Sequence, residues 1–382
     1  MALDRIRLSR FRNHADSEIT GTARFNLLIG ENGAGKTNVL EAISLLAPGR
    51  GLRRAALSDM AMNHEAGGFA VSAELDPGDP GGAEPIHLGT GTLPDRPGRR
   101  VVQINGADST AMGLSEWLGL FWLTPAMDRL FMDSPGARRR FLDRMVLALE
   151  PAHARHASRY EAGLRERARL LFAPDDADPR WLIAIEAQLA EAGAEVSGAR
   201  MRLIDRLRAA IAALPPSPFA RPELAYQAGG PADAPALASA LADSRRRDRV
   251  AQRSLVGPHR DELLVTLAAK NQPAAECSTG EQKAMLIAIT LAHSNLGAHD
   301  NLAETGTDTG PGVGTPPRAR VLLLDEVAAH LDPLRREALF EQLRDGPAQV
   351  WITGTEAAPF AAIRAEAACW RVVDGMVGSA GL

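Results

Sequence analysis

The stretch "FNLLIGENGAGKTNVLEAISLL", residues 25–46, constrains this chain more than any other segment. Phe25 to Ile29 is an apolar run fit for a buried strand, and Thr37 to Leu46 carries apolar residues at helical spacing. Between them, Gly30, four residues, Gly35, Lys36 and Thr37 have the spacing of a phosphate-binding loop, completed by Glu31, Asn32, Gly33 and Ala34. Glycines at 30, 33 and 35 let the backbone turn tightly and aim its N–H groups at a nucleotide, on the positive end of the following helix. Of 43 basic side chains only Lys36, Lys270 and Lys283 are lysines. A compact ammonium fits inside a ring of amides around a phosphate, where a planar guanidinium does not, which is why a lysine is expected at position 36. Thr37 is the expected ligand of a magnesium ion.

The remaining composition sets limits. The chain has 382 residues, 45% of them apolar, enough for two or three domains with a substantial core. Two cysteines, Cys277 and Cys369, offer neither a disulfide framework nor a multi-cysteine metal site. The opening "MALDRIRLSRF" alternates charge and apolar residues, and no window approaches a membrane span, so a soluble cytoplasmic protein is expected. A net charge of −4 gives no global attraction to nucleic acid, so any such binding must use local arginine clusters.

"DRIRLSRF" reads as a strand with one buried face, residues 76–98 as a loop or a long-tipped hairpin, and "RRVVQINGAD" as a strand entering a turn at Asn105-Gly106. From Ala137 the chain turns helical. "ARRRFLDRMVLALE" runs to Pro151. Beyond it, Leu182, Ile185, Leu189, Ala192, Val196, Ala199 and Leu203 form a seam within residues 180–213, a helix of about 50 Å. That seam suits packing inside a domain and a two-helix coiled coil equally well. "LVGPHRDELLVTL" reads as a strand rejoining the first domain, and residues 298–319 as a polar Gly/Pro/Thr-rich insertion. The expected organisation is α/β: a head formed by residues 1–135 and 255–382, with an inserted, mainly helical arm at 136–254.

"ARVLLLDEVAAHLD", residues 319–332, supplies the second half of a nucleotide site. A buried parallel strand ending in Asp325 and Glu326 delivers both carboxylates to the ligand-binding edge of an open sheet. Asp325 would hold the magnesium, and Glu326 would polarise the attacking water as general base. In "CSTGEQKAMLIAITLAHSN", residues 277–295, Ser278, Gly280 and Gln282 open a helix whose free N–H groups and hydroxyl suit an anion, or serve as an ordinary cap.

Phosphate loop, serine-glycine helix start, Asp-Glu strand and then "HLD" resemble the motif order of the ABC-type ATPases. The resemblance implies ATP with Mg2+, Ser278 and Gly280 completing the site of an opposite subunit in trans, and Asp332 at the subunit junction of an ATP-dependent homodimer. More than half of the chain separates Lys36 from Ser278, which points away from transporter ATPases, the least favoured alternative, and toward those of DNA repair and chromosome structure. "FRNH" at 11–14, the loop through Arg53, "SPGARRRFLDRMV" at 134–146, "LVGPHRDEL" at 255–263 and "STGEQK" at 278–283 together are similar to the RecF family of bacterial recombination mediators. That resemblance sets Arg12 and Asn13 near the nucleotide, although a strand end would explain them too. It implies slow, DNA-stimulated ATP hydrolysis and binding to gaps and to junctions of single- and double-stranded DNA. It also implies partnership with RecR, and through it RecO, in loading RecA; an ATP-gated DNA clamp with little turnover is the alternative. Arg138 to Arg140 and Arg245 to Arg247 are candidate DNA contacts or, equally, solvated helix faces.

Four positions depart from the family pattern. Cys277 replaces the leucine that usually precedes the serine. Thr124 and Ala126 lie where a metal-reaching glutamine or acid is expected, and Gly354 stands where many ABC ATPases have a histidine, leaving Thr353 or Thr355 as substitutes.

Overall fold

Strand β1 (Ala2–Phe11) buries Leu3, Ile6, Leu8 and Phe11 and turns Arg7 outward, the half-buried pattern its alternation predicts. It is followed by β2 (His14–Ile19), β3 (Phe25–Ile29) and helix α1 (Lys36–Ser44). Strands β4 (Phe69–Asp76), β5 (Ile86–Leu93), β6 (Arg96–Ile104) and β7 (Ala107–Asp108) complete an antiparallel sheet in the order β2-β1-β4-β5-β6-β7. Asn105 and Gly106, with φ of 51° and 78°, make the expected tight turn between β6 and β7. Of the segment at 76–98, the part from Ile86 onward belongs to a hairpin of β5 and β6, and residues 79–83 lie outside the described residues. Helix α2 (Ala111–Leu114) leads into β8 (Leu118–Leu123).

The computed structural model describes residues 1–62, 67–78, 84–172, 178–215, 217–296, 318–328 and 331–380. Nearly all of the insertion at 298–319 lies outside them. The chain divides into two units, residues 1–127 with 294–382, and residues 128–293. No helix among the described residues is long and apolar enough to cross a membrane.

The second unit contains α3 (Pro135–Leu149), α4 (Ala152–Leu171), α5 (Pro179–Ala213), β9 (Pro222–Gln227), α6 (Ala234–Ala251), β10 (Glu262–Leu267), β11 (Gln272–Pro273) and α7 (Thr279–Asn295). Pro151 separates α3 from α4. The α5 seam packs within the unit: Leu189, Ala192 and Val196 share a core with Tyr160 of α4 and with Leu237 and Leu241 of α6. Strand β10 does not rejoin the first unit. It pairs with β9 and β11, so residues 255–293, assigned to the head from sequence, belong with the helices. The sequence shows that a strand exists at 262–267, but partner choice is a long-range matter that its alternation does not encode.

Two buried arginines organise this unit. Arg167 is fully buried and donates to Glu186 (2.9 Å), Asp248 (2.7 Å), Ser254 Oγ (2.8 Å) and the Leu241 carbonyl (2.8 Å), which ties α4, α5 and α6 together. Arg200 of α5 grips both carboxylate oxygens of Asp143 at 2.8 Å and reaches Asp261 at 2.7 Å. Asp261 also accepts from the Gly229 N–H and the Tyr226 hydroxyl. Burial alone would raise the Asp143 carboxyl, but Arg200 and His153 outweigh it and hold the group at about 2.

The first unit closes with β12 (Ala319–Leu324), α8 (Pro333–Asp345), β13 (Gln349–Gly354), β14 (Ala367–Val373) and β15 (Met376–Ser379). Its second sheet runs β15-β14-β3-β13-β12-β8, parallel except for β15. Gln349 joins the two sheets, accepting from Leu3 N–H and donating to the Leu3 carbonyl of β1. Arg100 of β6 donates to the Leu45, Ala47 and Gly49 carbonyls just past α1, satisfying groups that a helix end leaves open. Burial lowers its pKa to about 10.

Removing Arg200 leaves Asp261 without its cation and Asp143 with His153 in place of the guanidinium. An Arg200→Leu variant should lose about 3–5 kcal/mol of unfolding free energy, measured by urea titration of helical circular dichroism.

Candidate nucleotide site

Sequence-local chemistry builds the loop. Gly33 and Gly35 take φ of 84° and 115°, a region closed to most side chains, and a Cβ on Gly35 would lie 2.8 Å from His14 Nε2. Gly30 is needed for another reason: a Cβ there would meet the Val372 carbonyl of β14 at 2.2 Å. Among the described residues, the backbone N–H groups of Gly33, Gly35, Lys36 and Thr37 have no acceptor within the protein. Those donors surround the start of α1 and are arranged for an anion. Glu31, Asn32 and Gly33 are exposed, while Ala34 is buried and holds the loop by its carbonyl, which accepts from Gly375 N–H at 2.9 Å and from Asn13 Nδ2 at 3.1 Å.

Lys36 is 4% exposed and its ammonium donates to the Gly30 and Glu31 carbonyls at 2.7 and 2.8 Å. Burial lowers its pKa, opposed by the nearby Glu326 and Asp325 carboxylates. Thr37 Oγ1 donates to Asp325 Oδ1 at 2.8 Å. The same oxygen accepts from Thr353 Oγ1, also at 2.8 Å, and Thr353 Oγ1 in turn accepts from Glu326 N–H at 2.9 Å. One carboxylate oxygen therefore joins α1, the end of β12 and the end of β13. Glu326 has φ of 53°, a left-handed conformation that a non-glycine residue adopts only when its surroundings fix it. Thr353, which the sequence offers only as a substitute for histidine, is fully buried and braces both carboxylate residues. Gly354 and Thr124 stand beside this edge without a side chain that could replace the expected histidine or glutamine.

These residues fit a magnesium ion. A hydroxyl and a carboxylate in contact are the hard oxygen donors that Mg2+ takes, with the remaining positions left to water and phosphate. No cluster of three or more His, Cys, Asp or Glu able to hold a metal occurs among the described residues.

Arg12, expected near the nucleotide, makes structural contacts. Its guanidinium grips both oxygens of Glu41 at 2.8 and 2.9 Å and the Asp59 carbonyl at 2.8 Å. Glu41 is fully buried on α1 and takes Arg53 as a second cation. A charged residue on the apolar face of the loop helix was the available signal for this anchor, and sequence reading passed over it. His14 was also missed. It is fully buried with Nε2 3.1 Å from the Gly35 carbonyl, and burial lowers its pKa against the pull of the Gly35 and Gly375 carbonyls.

In the second unit, Ser278, Thr279 and Gly280 are exposed at the start of α7. A Cβ on Gly280 would meet nothing within 4 Å, so its own chain does not require a glycine there. Gln282, expected at the nucleotide, points inward instead: it is 1% exposed and donates to the Cys277 carbonyl at 2.8 Å, fixing the turn that presents Ser278. Cys277 fills the apolar position before the serine and is buried. Asp332 caps α8, accepting from Arg335 N–H at 3.0 Å. Of the candidate DNA-contacting arginines, Arg138 pairs with both oxygens of Glu262, Arg139 with the Asp261 carbonyl and Arg245 with Glu186. Arg140, Arg246 and Arg247 remain exposed.

A parallel sheet with a phosphate loop after β3, an Asp-Glu pair after β12 and an inserted helical unit defines the ABC-type ATPase head of the SMC-like class. The family described as "RecF/RecN/SMC N terminal domain" matches residues 2–372. This chain belongs to the RecF family: it is 45% identical to the DNA replication and repair protein RecF of Mesorhizobium japonicum, over 98% of this chain and 97% of that one. The corresponding protein of Rhizobium rhizogenes is 43% identical, with the same coverage. The solved structure of the recombination mediator protein RecF-ATP in the RecFOR pathway shares the fold at a TM-score of 0.78 and 22% identity, covering 100% of this chain and 98% of that one. An Smc head domain from Pyrococcus furiosus, bound to the C-terminal domain of ScpA, aligns at 0.51 and 17% identity, covering 100% and 96%.

Thr353 holds Asp325 in place through its hydroxyl. Thr353→Val keeps the volume and removes both hydrogen bonds, and should weaken Mg2+-dependent nucleotide binding about tenfold while leaving Mg2+-free binding nearly unchanged, as read by calorimetric titration.

Proposed function

We propose that this chain is an ATP-dependent DNA-binding protein of replication and repair, which dimerises on ATP and binds gapped DNA or junctions of single- and double-stranded DNA. The observation that carries this reading is the joining of Thr37, Asp325, Thr353 and the Glu326 backbone beside a loop in which, among the described residues, the N–H groups of Gly33, Gly35, Lys36 and Thr37 are unclaimed. The name of its relatives, DNA replication and repair protein, supports the cellular role.

In this reading the loop amides and Lys36, transferred from the Gly30 and Glu31 carbonyls, hold the β- and γ-phosphates of ATP. Thr37 and Asp325 would hold a magnesium ion, which would supply neutralisation of charge on the phosphate oxygens. Glu326 orients and polarises the attacking water as general base. Ser278 N–H and Oγ and the open space at Gly280 meet the γ-phosphate of a second copy, so closure gains contacts that exist only in the dimer and loses them on hydrolysis. Arg140, Arg246 and Arg247 are candidates for phosphate contacts with DNA, with strong salt dependence and little sequence preference. Partnership with RecR, and indirectly RecO, in loading RecA at replication gaps and in the SOS response completes the proposal, together with a cytoplasmic, nucleoid-associated location.

A second reading, an ATP-gated clamp without significant turnover, is favoured by Gly354 and Thr124, which leave Glu326 without the usual side-chain helpers. Glu326→Gln separates the two. Catalysis by Glu326 predicts that this variant accumulates ATP-bound dimers in sedimentation with gapped DNA and loses phosphate release by at least about a hundredfold, with Lys36→Ala as the non-binding control. Phosphate release equal to wild type would remove Glu326 from the role of base. Gly280→Val should leave the melting temperature of the monomer unchanged and abolish the ATP-induced dimer in the same sedimentation assay, because the added side chain has room in its own chain and none against a partner's phosphate.

A further inference from the structure

The donors that the trans reading requires of Ser278 are already engaged. Glu281 Oε2 accepts from both Ser278 N–H, at 3.0 Å, and Ser278 Oγ, at 2.8 Å. Its other oxygen, Oε1, accepts from the ammonium of Lys270, one of the three lysines of the chain. The arrangement is a capping box, in which a carboxylate three residues into a helix reaches back to its cap. Here the cap is the serine that would face a triphosphate, and the group covering it is itself an anion.

We propose that Glu281 is a specificity-determining residue of this site: an internal carboxylate that occupies the Ser278 donors and yields only to the γ-phosphate of a partner-bound ATP. The inference rests on the trans reading above and adds how that contact is regulated. Two anions cannot share the same N–H and hydroxyl, so closure must exchange carboxylate for phosphate. The exchange leaves no donor unsatisfied, but it costs the charge-assisted bonds that Glu281 makes with Ser278. A γ-phosphate carries more charge and more acceptor oxygens than a carboxylate and wins. A nucleoside diphosphate has no group at that position, so Glu281 stays and the heads remain apart. Lys270 has a role on both sides of the exchange, since it steadies Glu281 over Ser278 and can retain it once displaced. It is attached through a flexible stem and its side chain is 56% exposed, so it can follow the carboxylate outward. The Glu281 carboxyl lies at about 2, held down first by Lys270 and then by Ser278, so it is ionised at physiological pH.

Glu281→Gln tests this without removing the helix cap, because glutamine serves a capping box as well as glutamate does. Sedimentation velocity over a series of ATP and ADP concentrations, with nucleotide binding to the monomer measured separately by fluorescence, gives the readout. The expected result is a roughly tenfold lower ATP concentration for half-maximal dimerisation, as befits loss of the charge assistance in the bonds to Ser278 at each of the two nucleotide sites. A measurable ADP-dependent dimer should also appear, with monomer affinity unchanged. A wild-type-like or higher ATP requirement in Glu281→Gln, while wild type itself dimerises, overturns the role of Glu281 alone. A wild-type protein that binds ATP and stays monomeric at every concentration overturns the trans reading, and this inference with it.

Discussion

Asp325 Oδ1 receives two hydroxyls, from Thr37 and Thr353, and the geometry of the nucleotide site follows from that convergence. Thr37 belongs to the helix that carries the loop, Asp325 to the end of one central strand and Thr353 to the end of its neighbour. An acceptor with an ionised charge makes each bond stronger than a neutral one, and burial excludes the water that would compete. Because Thr353 spends its single proton on Asp325, its lone pair is left to accept the Glu326 N–H. The left-handed backbone at Glu326 is thereby fixed. One hydroxyl aligns the carboxylate proposed to hold a metal and a candidate general base at once.

The loop is held from behind by residues far apart in sequence. Asn13 and Gly375 converge on the Ala34 carbonyl, His14 on that of Gly35, and Val372 closes over Gly30. Arg12 and Arg53 neutralise the buried Glu41 on the loop helix, and Arg100 caps its far end. A helix anchored at both ends and along one side keeps the free amides of the loop pointing outward, which is the preorganisation that phosphate binding needs. The helical unit shows the same economy of charge. In "GPHRDEL", Asp261 receives Arg200, Tyr226 and Gly229, so a motif that reads like a functional signature acts here as the junction of a buried polar network. Such a network specifies one packing arrangement because any slip leaves a charge unpaired.

Much of this was legible in sequence. The strand at 25–29, the loop, the helix after it and the buried strand ending in Asp325 and Glu326 came from short-range periodicity and from residue chemistry that tolerates few substitutes. The family came from several short motifs spread across the chain. What misled was partner choice. Strand β10 alternates as a half-buried strand should, but nothing in its pattern says which sheet accepts it. Arg12 and Gln282 matched positions in motifs, and their side chains bond to Glu41 and to the Cys277 carbonyl, contacts that no motif encodes. Three of the six arginines in the two basic runs satisfy buried or half-buried acceptors, which charge patterning alone cannot distinguish from a solvated face.

The sequence by itself determined that this chain has a phosphate loop on a strand-helix turn, two carboxylates at a strand end and a serine-glycine helix start, because each depends on residues within a few positions of one another. Tertiary structure alone decided that Thr353 braces both carboxylates, that Glu41 and His14 anchor the loop, and that Glu281 shares its two oxygens between Ser278 and Lys270. Those contacts depend on where distant strands end and on which side chain is near enough to satisfy a buried or ionised group, and that is set by the packing of the whole chain rather than by any segment of it.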